Sequence, residues 1–350
     1  MRVLMLGRGW FPSERGCLNR YYRGLLEELP EARGIVLGPV EDACARVIVA
    51  SEHSAPLPVR VLAFTRAARR EAGRADLIDA HFALYACLPL LSGSLRRKPL
   101  LVHFQGPWAD EAVSVRDTSR WRHGARRRLE RAVYTRAGLI ITPSGACKKL
   151  LVERYDVSPW HTAVLAPGVD LDRSREGDRS AARARFGLAP DAFVVCCALR
   201  LGPRMGPDVL IDAWAQELGG DPCARLLIAG EGELREGLEH QVAMHSLGDS
   251  VTLLGRVGDE ELLALYRAAD ANVVPSVSVD GLGFAPLEAA ACGTPSIVTR
   301  AGDLAKAIAG LGESLIVPAA DVDALAGRLT RARQGELPSR EQTRAWAEAH

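Results

Sequence analysis

The residues 275–295, PSVSVDGLGFAPLEAAACGTP, carry the densest chemistry in the chain. An apolar, strand-like run gives way to a glycine-rich loop, and a helix opens near Pro286, where proline suits the first helical position. A helix N-terminus offers free N–H groups and the positive end of a dipole, a setting that suits phosphate. Asp280 and Glu288 flank the loop. Carboxylates so placed can accept hydrogen bonds from sugar or ribose hydroxyls. The same pattern also fits a plain helix whose glutamate favours its own dipole.

Gly7-Arg8-Gly9 follows a short apolar run at the N-terminus, with Gly16 opening the next helix. The third glycine of a nicotinamide-type G-x-G-x-x-G is replaced by Pro12, so a dinucleotide fingerprint is not met. Asp170-Leu171-Asp172 and Asp321-Val322-Asp323 each read D-x-D, a metal–diphosphate pattern elsewhere. Neither follows a suitable strand. The first sits in a polar connection and the second at a helix start, where Asp is an ordinary cap. The eight Cys include no C-x-x-C pair and there is no His cluster at zinc spacing, which argues for reduced structural thiols and against a disulfide scaffold or a metal centre.

These loops need a scaffold, and the hydrophobic pattern supplies one. Strand-like runs at Val3–Leu6, Val47–Ala50, Leu77–Ala80, Leu100–Phe104, Leu139–Thr142 and Thr162–Leu165 alternate with helical stretches such as Leu18–Leu29, Ser119–Tyr134 and Ala146–Arg154. The rhythm restarts at Phe193–Leu199, Arg225–Ala229, Val251–Leu254, Ala271–Val274, Ser296–Thr299 and Leu315–Val317. Helices are expected at Pro207–Glu217, Glu233–Met244, Asp259–Ala268 and Pro286–Cys292. Alternation of this kind predicts α/β architecture with parallel sheets. The polar stretch 167–185 reads as the connection between two Rossmann-like domains, 1–168 and 169–350. Ligands of such sheets bind at the carboxyl ends of the strands, so a cleft between two facing domains is the expected site.

In order along the chain, several motifs resemble the family-four retaining glycosyltransferases (glycosyl transferases group 1), whose fold is GT-B. The family's E-x7-E element is matched by Asp280 and Glu288, and its A-C-G-T-P by Ala291–Pro295. The segment Leu199–Gly206 follows the G-R-L-x-x-x-K-G element, and Leu227–Arg235 the G-x-G-x-L-R turn. In the N-terminal half, Trp10-Phe11-Pro12, His103–Trp108, Ile141–Ser144 and Pro167–Asp170 fall in family order. The resemblance covers nearly the whole chain.

It implies a metal-independent, retaining hexosyltransferase that moves sugar from a nucleotide diphosphate sugar to a glycan or lipid-linked glycan, as in polysaccharide biosynthesis, at the front face and without a side-chain nucleophile. The nucleotide sugar is a substrate, and no cofactor or metal is implied. Charge developing on the leaving diphosphate must then meet Arg/Lys and backbone N–H groups. By carry-over, Arg200 clamps the diphosphate. Gly283, Phe284, Ala285 and Leu287 line the N–H cradle, and Gly16 approaches the phosphates from the first domain. Glu288 accepts from the ribose, Asp280 touches the donor sugar, Gly255 and Arg256 contact the base, and Gly230 shapes the neighbouring turn.

This chain departs from the pattern at named places. Met205 replaces the family's Lys, with Arg204 adjacent; Gln105 replaces a His, with His103 two residues earlier and so on the same strand face. The terminal helix that crosses back in the family is expected to be short or missing. A degenerate, non-catalytic nucleotide-sugar-binding or partner subunit is therefore the alternative reading, and a sugar-nucleotide epimerase a more distant one.

Composition bounds the rest. Net charge is +1 from 44 basic and 43 acidic residues, which disfavours a general nucleic-acid binder. No apolar run approaches a membrane span, and the first residues are too few for a signal peptide, so a cytoplasmic protein is expected. Locally, Arg116–Arg136 holds eight Arg against two acids. As a basic amphipathic helix it could dock peripherally on anionic headgroups at the inner membrane surface, though a solvated face in an Arg-rich protein is the favoured reading.

Overall fold

A computed structural model describes residues 1–11, 13, 17–40, 44–90, 93–111, 119–278 and 283–350. The chain divides into two compact units, Met1–Ala166 and Pro167–His350.

The first unit runs β1 (Val3–Leu6), α1 (Cys17–Glu28), β2 (Ala32–Gly38), β3 (Val47–Glu52), α2 (Leu57–Glu71), β4 (Leu77–Ala80), α3 (Ala83–Leu90), β5 (Leu100–His103), α4 (Trp108–Glu111), α5 (Arg120–Tyr134), β6 (Leu139–Thr142), α6 (Gly145–Tyr155) and β7 (Thr162–Val164). Its strands form one parallel sheet in the order β3-β2-β1-β4-β5-β6-β7. Inner strands carry continuous apolar runs because helices cover both faces of a parallel sheet: Val3–Leu6 is buried throughout. The direction of winding reverses between β1 and β4, which places the switch point there.

The second unit runs α7 (Arg179–Arg185), β8 (Phe193–Ala198), α8 (Pro207–Glu217), β9 (Ala224–Ala229), α9 (Arg235–Met244), β10 (Val251–Gly255), α10 (Asp259–Ala268), β11 (Ala271–Val274), α11 (Ala285–Ala291), β12 (Ser296–Thr299), β13 (Ile316–Val317), α12 (Val322–Arg333) and α13 (Arg340–Ala349). Its parallel sheet has the order β10-β9-β8-β11-β12-β13, so the switch point lies between β8 and β11. One face of that sheet packs Val195, Cys197, Leu226 and Val273 against α8 and α12 through Leu210, Trp214 and Leu329.

The 167–185 stretch is not connection throughout. Its last part is α7, which packs on α10. Arg183 is buried there, with Nη2 2.9 Å from Asp270 and Nε donating to the Ala268 carbonyl at 3.1 Å. Charged residues read as a solvated linker by composition, yet a guanidinium given a carboxylate and carbonyls can line an interior. The chain's last residues likewise form a helix: α13 is opened by a capping box between Ser339 and Gln342 and lies on α11. Arg340 donates to the Ala269, Cys292 and Thr294 oxygens, and Arg344 to Ser174 and Ala291. These contacts hold α13 on its own unit; it is not the helix that crosses back in the family.

Candidate functional site

In the second unit the parallel sheet delivers the predicted donor residues to one edge. Arg200 is exposed just past β8, Arg204 half-buried in the same loop, Gly230 follows β9, Gly255 ends β10, and exposed Arg256 follows it. Gly283, Phe284, Ala285 and Leu287 are half-buried at the entry to α11, and Glu288 is buried in its first turn. Asp280 and Gly16 lie outside the described residues.

Glycine lets these loops touch. Gly206 sits at φ +66°, and a Cβ there would lie 2.2 Å from the Pro275 carbonyl oxygen. Gly230, at φ +147°, would place a Cβ 1.7 Å from the Leu199 oxygen. Each position needs both the positive φ and the missing side chain. The contacts they permit are backbone hydrogen bonds. Val277 N–H donates to the Arg204 carbonyl at 2.9 Å, Leu201 N–H to Glu231 at 3.0 Å, and Gly230 N–H to Gly255 at 2.8 Å. The loop after β8, which carries Arg200 and Arg204, is therefore tied to the loops after β9 and β11.

Both D-x-D pairs do structural work. Asp170 Oδ1 accepts from the Asp172 and Arg173 amides, at 3.0 Å each. Asp321 accepts from the Ala324 amide at 2.9 Å and caps α12.

In the first unit, His103 closes β5 and belongs to a buried cluster that the sequence reading did not assemble. Asp79 Oδ2 lies 3.2 Å from His81 Nε2, and its Oδ1 3.4 Å from His103 Nε2. Tyr21 Oη is 3.0 Å from His103 Nδ1. Burial alone would raise the Asp79 carboxyl, but the two imidazoles more than offset it and hold it far below the usual range. Burial lowers the His81 imidazole against the pull of Asp79, and raises the Tyr21 phenol together with that carboxylate. A signal was available: Asp79 and His81 are two apart across a strand end, and so face one way.

Asp79, His81 and His103 bring ligand-type atoms within 4.8 Å of one another. The two imidazoles are nevertheless stacked, 6° from parallel with centroids 4.3 Å apart. Ring lone pairs lie in the ring plane, and stacked planes sit about 3.5 Å apart. An ion shared by both rings would stand well outside each plane, against metal–nitrogen bonds of about 2.0–2.1 Å. The arrangement suits shared protons better than a shared cation.

The loop after β5 is anchored from beneath by Glu130, which is fully buried. Its carboxylate accepts from the Ala109 amide at 3.2 Å, Tyr134 Oη at 3.1 Å and Tyr155 Oη at 2.7 Å. On the outer face of α5, Trp121 is 72% exposed, beside exposed Arg122, Arg127, Arg128 and Arg131. Arg116 lies outside the described residues. Among the described residues no helix is long and apolar enough to cross a membrane.

Comparison with known proteins agrees with this layout. Residues 178–350 match the family described as glycosyl transferases group 1, and residues 22–173 match glycosyltransferase family 4. A D-inositol 3-phosphate glycosyltransferase of Geodermatophilus obscurus is 33% identical over 321 residues, covering 85% of this chain and 69% of the relative. One of the same name from Saccharomonospora viridis is 35% identical, covering 79% and 67%. The chain thus spans about two thirds of these relatives' length. Among solved structures, sucrose-phosphate synthase of Thermosynechococcus elongatus superposes with a TM-score of 0.83 at 23% identity, covering 99% of this chain and 94% of that one. Anabaena HepE in complex with UDP and glucose gives 0.81 at 19% identity, covering 100% and 95%. Both likenesses concern the fold, a pair of parallel-sheet Rossmann-like units of the GT-B class.

Proposed function

The chain is a glycosyltransferase of the group 1 family, and on that premise we propose that it transfers a hexose, with retention and without a metal ion, from a nucleotide diphosphate sugar to a hydroxyl of a polyol or glycan acceptor. The observation that supports this reading is the tie between the loop after β8, which carries Arg200 and Arg204, and the loop after β11, which leads toward α11, at a switch point of the sheet. Two guanidinium groups there would meet the charge that builds on a departing diphosphate. Buried Glu288 would accept from the ribose, Arg256 beside Gly255 would reach the base, and Asp280 would face the donor sugar. A donor phosphate oxygen would help to remove the acceptor proton.

The donor proposed first is a uridine diphosphate sugar, since HepE is described with UDP and glucose. The acceptor proposed first is D-inositol 3-phosphate, from the names of the relatives. A lipid-linked glycan is the second acceptor proposed, and it would give the exposed Trp121 and arginines of α5 a purpose at the cytoplasmic membrane surface.

The test is a donor panel in EDTA: uridine, guanosine, adenosine and thymidine diphosphate sugars, each with and without D-inositol 3-phosphate, followed by release of free nucleotide diphosphate. Release from one donor that is lost in Glu288→Ala supports the reading. Silence together with absence of donor binding by calorimetry overturns it.

The alternative, a nucleotide-sugar-binding or partner subunit without turnover, draws on Met205, a half-buried thioether where a cation would serve phosphate. Met205→Lys separates the two. A large gain of turnover marks a weakened enzyme; donor binding without any gain favours the binding subunit.

A further inference from the structure

The cluster around Asp79 fixes its own proton positions. His81 Nε2 donates to Asp79 Oδ2 at 3.2 Å, whereas His103 Nε2 faces Oδ1 at 3.4 Å, an electrostatic contact without hydrogen-bond geometry. An ionised carboxylate only accepts, so the nitrogens that face it carry the hydrogens. A neutral imidazole has one N–H, which leaves both Nδ1 atoms as bare acceptors. His103 Nδ1 then takes the hydrogen of the Tyr21 hydroxyl at 3.0 Å. Once that hydrogen is committed, the phenol oxygen has only lone pairs to offer.

The side chains of Asp79, His81 and His103 are 2%, 5% and 4% exposed. Tyr21 is half-buried, and so is the member of the relay that reaches the surface. In this arrangement one nitrogen of His103 faces Asp79 and the other faces Tyr21, so the histidine has neither free for a substrate. The residues come from α1, β4 and β5, around the switch point of the first sheet, where ligands of open α/β sheets bind.

We propose that Tyr21 is a substrate-contacting residue whose hydroxyl oxygen accepts a hydrogen bond from a hydroxyl of the sugar or polyol acceptor. Asp79 is a positioning residue that acts through His103: by fixing the imidazole tautomer, it makes Tyr21 an acceptor. His81 holds the second carboxylate oxygen and packs edge-on against Tyr22, ring centroids 5.0 Å apart, which keeps Asp79 aimed. This inference rests on the glycosyltransferase reading above.

The test compares wild type, Tyr21→Phe and Asp79→Asn. The assay uses D-inositol 3-phosphate as acceptor and the nucleotide sugar selected by the donor panel. Loss of one hydroxyl contact should raise the acceptor KM of Tyr21→Phe about tenfold, with the donor KM within about twofold. An asparagine turns its N–H toward one imidazole and its oxygen toward the other; where that moves the His103 hydrogen from Nε2 to Nδ1, the acceptor KM should rise although residue 79 does not touch substrate. Nitrogen-15 NMR of the ligand-free chain reads the tautomers directly. Wild-type His103 should carry its hydrogen on Nε2, and its Nδ1 resonance should shift in Tyr21→Phe.

A hydrogen on Nδ1 of wild-type His103 overturns the relay. An unchanged acceptor KM in Tyr21→Phe overturns the contact. A wild-type chain that releases no nucleotide under these conditions and binds no donor by calorimetry overturns the functional reading and this inference with it, whereas failure confined to the variants falls on the inference alone.

Discussion

Val277 and Arg204 are joined by a backbone hydrogen bond of 2.9 Å, and the approach that allows it passes over Gly206. A methyl at 206 would meet the Pro275 oxygen at 2.2 Å, and the residue's φ of +66° is left-handed. Gly206→Ala therefore carries backbone strain of about 1–2 kcal/mol before any clash is counted. Relief requires the loops after β8 and β11 to part. The expected outcome is a lowered melting temperature and a donor KM raised about tenfold or more. Gly220→Ala serves as control, since a Cβ there meets nothing within 4 Å.

Two arginines of the second unit separate chemistry from architecture. Arg200 is exposed at the sheet edge, whereas Arg340 is half-buried and donates to the Ala269, Thr294 and Cys292 oxygens. Arg200→Ala should leave stability nearly unchanged and lower kcat about a hundredfold, the scale of losing one donor to a developing anion. Arg340→Ala strands three acceptors and should cost about 2–4 kcal/mol of stability. Denaturation and turnover measured on the same preparations should show the two losses exchanged between the variants.

How far these features were legible follows from how local their signals are. Leu77–Ala80, Ala271–Val274, Pro207–Glu217 and Asp259–Ala268 agree residue for residue with the sequence reading, because buried parallel strands and proline- or acid-opened helices announce themselves within a few residues. Strand β2 escaped it: Ala32-Arg33-Gly34 opens with a charge and a glycine. Yet Arg33 reaches Glu71 at 2.7 Å, and Gly34 leaves room for the Tyr22 hydroxyl. The loop residues of the second unit were singled out by ordered motifs, and they lie past the carboxyl ends of their strands. The Asp79–His103–Tyr21 cluster was not, since its members come from three elements and meet only when β4 and β5 lie side by side. Arg183 was misplaced for a related reason: its partner, Asp270, is 87 residues away.

The outer face of α5 makes a separable claim. Trp121 is 72% exposed, and Arg122, Arg127 and Arg128 lie near it on the same helix. If that face docks on anionic headgroups, the chain should sediment with phosphatidylglycerol vesicles at low salt and not with phosphatidylcholine. Binding should weaken steeply as salt shortens the Debye length. Arg127→Glu with Arg128→Glu should abolish sedimentation while turnover on a water-soluble acceptor persists. Equal sedimentation of that variant would leave the face as a solvated one.

Glu130 predicts an unusual pH dependence of stability. Burial raises its carboxyl above the ordinary value, opposed by the hydroxyls of Tyr155 and Tyr134 and the amides of Ala109 and Trp108. A carboxyl whose pKa is higher folded than unfolded binds its proton more tightly in the native state. Its contribution is therefore fully present below the unfolded value and is lost as pH rises through the folded one. Wild type should lose part of its unfolding free energy between the ordinary glutamate range and the raised value, and then level off. Glu130→Gln keeps an oxygen for the Ala109 amide without a titrating proton, so its stability should lack that descent. Urea unfolding of both chains across pH 4 to 8 reads the difference directly. Parallel curves would mean that Glu130 titrates alike in both states, and that the tyrosine and amide donors fully offset its burial.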